Sequence, residues 1–380
     1  MTEMVYFDNA ATTRISRKAL DTYNMASDAY WANPSSLHHE GLKAKSKLEE
    51  CRKKLSLLLT VPEDTLTFTS CATEADSIIM ESFLWAPQCG EVLMPNIEHG
   101  ALTGFTRLFR QKGWTVTALD APHGFLDPED VRSHLSEKTR LVLCMLVNNV
   151  MGTIEPVEEI VKVVRSFEQE TGRKIHVHTD ATQALGKIPF SLVSLDVDSA
   201  AFSAHKLHGP KGVGLLYNRN KAITALSRGG EQEAGLRPGT ENLPGIMAMT
   251  AAVEEALDNE ETNLEKVRHL NALLRERFSS LQGVTILTPL EKSSPYILNI
   301  STEKYPSEVL TRMLYDKDFC VSSGSACSNN AKQHQGTILS SMQVSPKQSR
   351  GSIRISLGND NTEEEVMALA DALSGLLGGD

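Results

Sequence analysis

Ser203-Ala-His-Lys206, continued by Leu207-His-Gly-Pro-Lys-Gly-Val-Gly214, sets one lysine between small polar residues and a glycine-rich turn. Upstream, His176-Val-His-Thr-Asp180-Ala-Thr-Gln183 alternates apolar and polar residues and then reaches an acid. Asp180 and Lys206 each follow directly after a segment that reads as a strand. A lysine and an acid at two strand ends are what a pyridoxal phosphate site needs: the lysine forms the Schiff base, and the acid keeps the pyridine nitrogen protonated so that the ring accepts electrons. Blander readings exist for each residue. Lys206 beside Gly-Pro-Lys-Gly fits a solvated loop, Asp180 fits a helix N-cap, and Gln183 fits the other half of a capping arrangement. The glycines are not a phosphate loop, because Gly209 to Gly214 lacks the GxxxxGK[ST] spacing. His176 and His178 share a strand face, but no cysteine or carboxylate pattern with zinc spacing accompanies them or His205 and His208, so no metal is expected.

Working outward, strand-like and helix-like segments alternate between residues 65 and 217. Thr65–Thr69, Glu91–Met94, Thr115–Leu119, Leu141–Val147, Ile175–Thr179, Ser199–Ser203 and Gly212–Tyr217 read as strands. Helical patterns fall at Thr73–Trp85, Pro128–Leu135 and Val157–Glu170. Such alternation predicts an α/β large domain with a mostly parallel sheet flanked by helices, and ligands collect at the carboxyl ends of such strands. Beyond Asn242 the pattern changes. A long helical stretch, Pro244–Leu281, is followed by strands at Val284–Leu287, Tyr296–Ile300 and Ser352–Ser356 and helices near Ser307–Asp316 and Thr362–Leu377. That reads as a smaller α+β domain.

Composition narrows the function classes. A net charge of -10 argues against a nucleic-acid face, which needs clustered basic residues. No apolar run reaches the ~20 residues of a membrane span. Glu3 and Asp8 stand where an export signal would be basic and then apolar, so a cytoplasmic location is expected. The six cysteines form no disulfide framework.

Taken as an ordered set, the motifs carry a resemblance. Tyr6-Phe-Asp-Asn-Ala-Ala-Thr-Thr13, Asn33-Pro-Ser35, Thr69-Ser-Cys-Ala-Thr-Glu74, Glu98-His99, Val147-Asn-Asn149, Asp180 to Gln183, Ser203 to Lys206, Arg237-Pro-Gly-Thr240-Glu-Asn242, Ser322-Ser-Gly-Ser-Ala-Cys327 and Arg350 to Leu357 resemble the class V aminotransferase group of fold type I pyridoxal phosphate enzymes. Within it they resemble the NifS/IscS-type cysteine desulfurases. The resemblance implies a large domain at 14–256 and a discontinuous small domain at 1–13 and 257–380. It implies Lys206 as the Schiff-base lysine, Asp180 on the pyridinium nitrogen and Gln183 donating to the phenolate oxygen. Ala72 and Thr73, opening a helix, would hold the phosphate with Ser203 and His205, since a helix N-terminus suits an anion. His99 would stack on the ring and shuttle protons. Asn149 and Arg354 would bind the substrate carboxylate, for which a guanidinium fork is suited; the residues alone also allow Arg354 as the exposed face of its strand. Thr240 would cross a homodimer interface to the partner's cofactor phosphate.

Cys327 separates a desulfurase from other class V activities. It sits among small polar residues, as a loop would. Of the other cysteines, four have neighbours typical of a core strand or helix, and Cys71 falls in the phosphate turn. The implied reaction converts L-cysteine to L-alanine and leaves the sulfur as a persulfide on Cys327, for a scaffold or carrier protein serving iron–sulfur clusters or tRNA thiolation. Three positions depart from the family pattern. Val150 replaces a glutamate, Gly100 a lysine, and Ala234 an arginine. The rival readings are a selenocysteine lyase or another class V enzyme, and a weakly active homologue that acts as a binding partner in sulfur transfer.

Overall fold

The computed structural model describes residues 4–323 and 338–378. Its strands are β1 (Val5–Tyr6), β2 (Leu66–Thr69), β3 (Glu91–Pro95), β4 (Thr115–Leu119), β5 (Thr139–Leu143), β6 (His176–Asp180), β7 (Ser199–Ser203), β8 (Gly214–Asn218), β9 (Val284–Ile286), β10 (Ile297–Thr302), β11 (Phe319–Cys320), β12 (Ser322–Ser323) and β13 (Ser352–Ser356). Seven of them form one sheet in the order β2-β8-β7-β6-β5-β3-β4. All neighbours in it are parallel except β8, which runs antiparallel to both β2 and β7. The fold is therefore α/β with a mainly parallel central sheet.

Apolar side chains leave this sheet on both faces, as a doubly covered sheet requires. On β7, Ala200 and Phe202 enter one core while Ala201 enters the other. On β8, Leu215 and Leu216 split the same way. The first core takes helices Arg17–Ala29, His39–Leu59, Val157–Thr171 and Leu243–Asp258; the second takes Ala72–Leu84. Phe202, fully buried, contributes about 1.5–3 kcal/mol of transfer free energy. Strand β6 uses its two faces differently. Val177 enters the first core, whereas His176, His178 and Asp180 point together toward helix Ala72–Leu84.

The C-terminal part builds a four-stranded antiparallel sheet, β12-β13-β10-β9. Helices Glu260–Ser279, Ser307–Tyr315 and Glu363–Gly378 cover it around a third core that includes Phe7, Leu298 and Ile353. β1 joins this region by pairing with β11 in parallel, and Asp8 bridges to Ser356. No helix among the described residues is long and apolar enough to cross a membrane.

Several elements differ from the sequence expectation. Helices Arg17–Ala29 and His39–Leu59 were not anticipated. The stretch expected as one helix from Pro244 is two, Leu243–Asp258 and Glu260–Ser279. Asn259 divides them, because its amide donates to the Glu255 carbonyl at 2.7 Å and competes with the backbone ladder. Strand β5 ends at Leu143, not Val147, although Cys144 and Leu146 still donate to the His178 and Asp180 carbonyls at 3.1 and 3.0 Å.

Candidate active site

A cavity of about 250 Å³ opens at the carboxyl ends of β6 and β7. Ala72, Thr73, His99, Asn149, Asp180, Gln183, Ser203, His205 and Lys206 all line it. So do Asp76 and Thr182, which sequence reasoning missed, and Cys71. Asp76 had one legible signal: it lies one helical turn beyond Ala72. Thr240 is exposed and does not line this cavity. Cys327 lies outside the described residues.

Lys206 ends the short turn Ala204–Lys206 that follows β7. Its ammonium donates to the carbonyls of Ala10 and Ala11, 2.7 Å each. Burial first, and Arg354 second, pull its pKa down to about 8, against the opposing fields of Asp180 and Asp8. A lysine in that range is a usable base near neutral pH. Asp180 is buried, and its carboxylate accepts the Thr182 N–H at 2.9 Å. Asp180 therefore closes a turn and is not a helix N-cap, since no helix begins there. Gln183 is not its capping partner, because its amide donates to the Ala10 carbonyl at 2.9 Å.

Behind Asp180 runs a buried chain whose proton positions follow from its far end. Asn220 Oδ1 accepts the Ala222 N–H, so its Nδ2 must donate to His176 Nδ1, at 3.1 Å. His176 Nε2 then donates to Ser199 Oγ, which donates in turn to His178 Nδ1, both at 2.7 Å. His178 Nε2–H is left facing Asp76 Oδ1 at 3.0 Å. Asp76 Oδ2 is buried without a partner among the described residues, and burial and the charge of Asp180 hold the Asp76 carboxyl well above the usual range. The raised carboxyl and the lowered imidazole both favour the neutral pair over the ion pair. Burial likewise lowers His176 to about 4 and His178 to about 3.

The signs of these shifts differ. The histidines' contribution is intact above about pH 6.5 and is lost as pH falls, down to about 4 for His176 and about 3 for His178, by about 1.4 kcal/mol per pH unit for each within its window. Asp76 binds its proton more tightly folded than unfolded, so its contribution is present below the ordinary carboxylate pKa and is lost as pH rises. Asp76→Asn keeps the acceptor for His178 and removes this cost. It is expected to stabilise the fold at pH 8, with the gain vanishing near pH 4. Denaturant melts at both pH values check this; a less stable variant at pH 8 would mean that Asp76 is ionised.

The other end of the cavity suits an anion. Helix Ala72–Leu84 has no side-chain cap at Cys71, so its first N–H groups and its dipole face outward. Ser203 Oγ is buried with no partner among the described residues. Gly214 lets this turn approach the sheet, since a Cβ there would lie 2.6 Å from the Cys71 carbonyl carbon. His205 bonds Thr12 Oγ1 at 3.1 Å, and burial and Lys206 lower it to about 4, so it is neutral. His99 caps helix Gly100–Thr103 by accepting the Ala101 N–H on Nδ1, which leaves the neutral ring's proton on Nε2.

Arg354 lies on β13 and is 8% exposed, so it is not a solvent-facing strand residue. Its Nη1 donates to the Asn149 carbonyl at 2.8 Å, and its Nη2 to Asp8 at 2.8 Å and Ser322 at 3.1 Å. Arg354 Nε and Asn149 Oδ1 are both buried without partners among the described residues. The three departures sit differently. Val150 is packed in the first core, where a glutamate would be buried. Gly100 has open space where a side chain would project. Ala234 takes a left-handed conformation at φ 54 beside Glu233 at φ 50, whose carboxylate is held by Arg52 at 2.8 and 2.9 Å.

The donor set fits pyridoxal phosphate. An uncapped helix end and a free hydroxyl suit a phosphate, a buried carboxylate suits a protonated ring nitrogen, and an amide N–H suits an anionic ring oxygen. Lys206 stands between them as the amine for an aldehyde.

The aminotransferase class-V family matches residues 5–369. A protein of Lactobacillus delbrueckii subsp. bulgaricus, described as a NifS/IcsS protein homolog, is 36% identical over 369 residues, which cover 96% of this chain and 94% of that one. The cysteine desulfurase IscS of Dictyoglomus turgidum is 32% identical over 382 residues, 99% of this chain and 95% of the relative. A solved structure of a NifS-like protein superposes with a TM-score of 0.92 at 35% identity, covering 99% of both chains.

Proposed function

The chain belongs to the class V aminotransferase family, and we propose that it is a pyridoxal 5'-phosphate-dependent cysteine desulfurase of the NifS/IscS type. The observation that carries this reading is the convergence of Lys206, Asp180, Gln183 and Ser203 with the uncapped helix end on one small cavity. Bound there, the cofactor would supply an electron sink for breaking the substrate's Cα–H bond.

The protein's own residues do the rest. Arg354, whose Nε is buried without a partner among the described residues, and Asn149, which lines the cavity, receive the carboxylate of L-cysteine. Lys206 takes the Cα proton and returns one to carbon. The Cys327 thiolate attacks the substrate sulfur; an S–S bond forms and the Cβ–S bond breaks. Sulfur is oxidised to the sulfane level, carbon is reduced to a methyl group, and L-alanine leaves. Thr240, exposed and away from its own cavity, meets the cofactor of a second copy.

Incubation of the purified protein with L-cysteine and dithiothreitol is expected to yield sulfide and alanine in equal amounts. Alanine without sulfide, or neither product from protein carrying stoichiometric pyridoxal phosphate, would overturn the reading.

A further inference from the structure

Gln183 is followed one helical turn later by a buried lysine that does not line the cavity. Lys187 is 7% exposed, and its ammonium donates to Gln183 Oε1 at 2.9 Å. We propose that Lys187 is a positioning residue, locking the Gln183 amide so that its N–H donors, and not its carbonyl, face the bound cofactor. This rests on the reading that Gln183 donates to the cofactor's phenolic oxygen.

An amide's two ends are nearly equal in shape, so its neighbours decide its orientation. Lysine has donors and no acceptor, so only the amide oxygen can face Lys187. On the other side, Gln183 Nε2 donates to the Ala10 carbonyl at 2.9 Å, and a carbonyl only accepts. The two contacts demand the same orientation, and a flip would set donor against donor and carbonyl against carbonyl. One N–H of Nε2 remains for the cavity that Gln183 lines. The lock survives loss of the lysine's charge: burial, then Lys206 and Arg354, lower Lys187 to about 7, but a neutral amine still donates. Ala10 also accepts from Lys206, so the same carbonyl ties the amide to the reactive amine.

A merely space-filling lysine and a lock differ in the spectrum of the holoenzyme. A donor at the phenolic oxygen stabilises that anion most when no neighbouring proton compensates it, and so lowers the pH at which the Lys206-linked cofactor loses its proton. That midpoint is read from the visible band between pH 6 and 10. Gln183→Leu is expected to raise it by about one pH unit. Lys187→Met should raise it part of the way, and Lys187→Arg should restore most of the original value. In the Gln183→Leu background, Lys187→Met should add nothing, because the two act as a unit. Methionine is apolar and of similar length, so the fold should persist; Lys187→Leu deletes the same donor if it does not.

An unchanged midpoint in Lys187→Met, with Gln183→Leu shifted, overturns the lock alone. An equal shift in both backgrounds also overturns it, since Lys187 would then act through its charge. A wild-type protein with no such band, or a silent Gln183→Leu, overturns the underlying reading and the lock together.

Discussion

Lys206→Ala is expected to abolish sulfide release, by at least about a thousandfold, while the protein folds and keeps its cavity. The size of the effect follows from a double role. In the proposed reaction the same amine would anchor the cofactor and move the Cα proton, and loss of a nucleophile or a general base costs orders of magnitude each. Its environment prepares it for both: burial and Arg354 lower the amine to about 8, so a useful fraction is neutral near pH 7 to 8. The lysine is not a structural keystone, since its partners are two carbonyls at the cavity edge. Borohydride treatment of the wild-type holoenzyme should fix the cofactor on the peptide containing Lys206, and label on another peptide would refute the assignment. The variant also tests whether two copies share each site. Thr240→Ala should retain cofactor poorly. Mixed with Lys206→Ala after subunit exchange, it should recover activity, because one site of each mixed dimer has Lys206 from one chain and Thr240 from the other. No recovery after verified exchange, or a monomer in sedimentation, would reject the shared site.

The parts legible in the sequence are those in which local pattern and chemistry coincide. Alternation made β6 and β7 visible, and a strand's carboxyl end is where a parallel sheet puts ligands, so Asp180 and Lys206 could be brought together before any coordinates. What failed depended on tertiary context. Helix His39–Leu59 carries lysines and glutamates nearly all round, so its buried stripe of Leu48, Leu55 and Leu59 is weakly marked. Asn259 breaks a continuous helical pattern through one side-chain bond, which composition does not encode. Cys89, whose neighbours read as those of a core cysteine, is exposed, and its thiol meets the Lys112 carbonyl at 3.0 Å. His176 and His178 suggested at most a metal. Their neutral chain to Asp76 appears only once β7 brings Ser199 between the two rings and the helix brings Asp76 to its end. Lys187 left no sequence signal, since its role lies in which end of an amide it selects.

Cys327→Ser should retain cofactor and bind L-cysteine, yet release sulfide at least about a thousandfold more slowly, because a hydroxyl neither attacks sulfur nor carries it. The position lies outside the described residues. Cys327 follows Ser323 by four residues in the sequence. The preceding residue, Ser322, is hydrogen-bonded to Arg354, so the segment starts beside the group assigned to the substrate carboxylate. The other cysteines are poor rivals. Burial pushes the thiols of Cys51, Cys144 and Cys320 up, which disfavours the thiolate. Cys89 precedes β3, at the end of the sheet opposite the cavity. Cys71 alone among the described cysteines lines the cavity, but it starts helix Ala72–Leu84 and is packed against Gly214. Cys71→Ser is therefore the matched control and should keep turnover within a few-fold of wild type. After a pulse of L-cysteine without reductant, the wild-type protein and Cys71→Ser should gain the mass of one sulfur atom on the Cys327 peptide, and Cys327→Ser should gain none. Near-normal sulfide release by Cys327→Ser, or sulfur found on Cys71, would assign the nucleophile elsewhere.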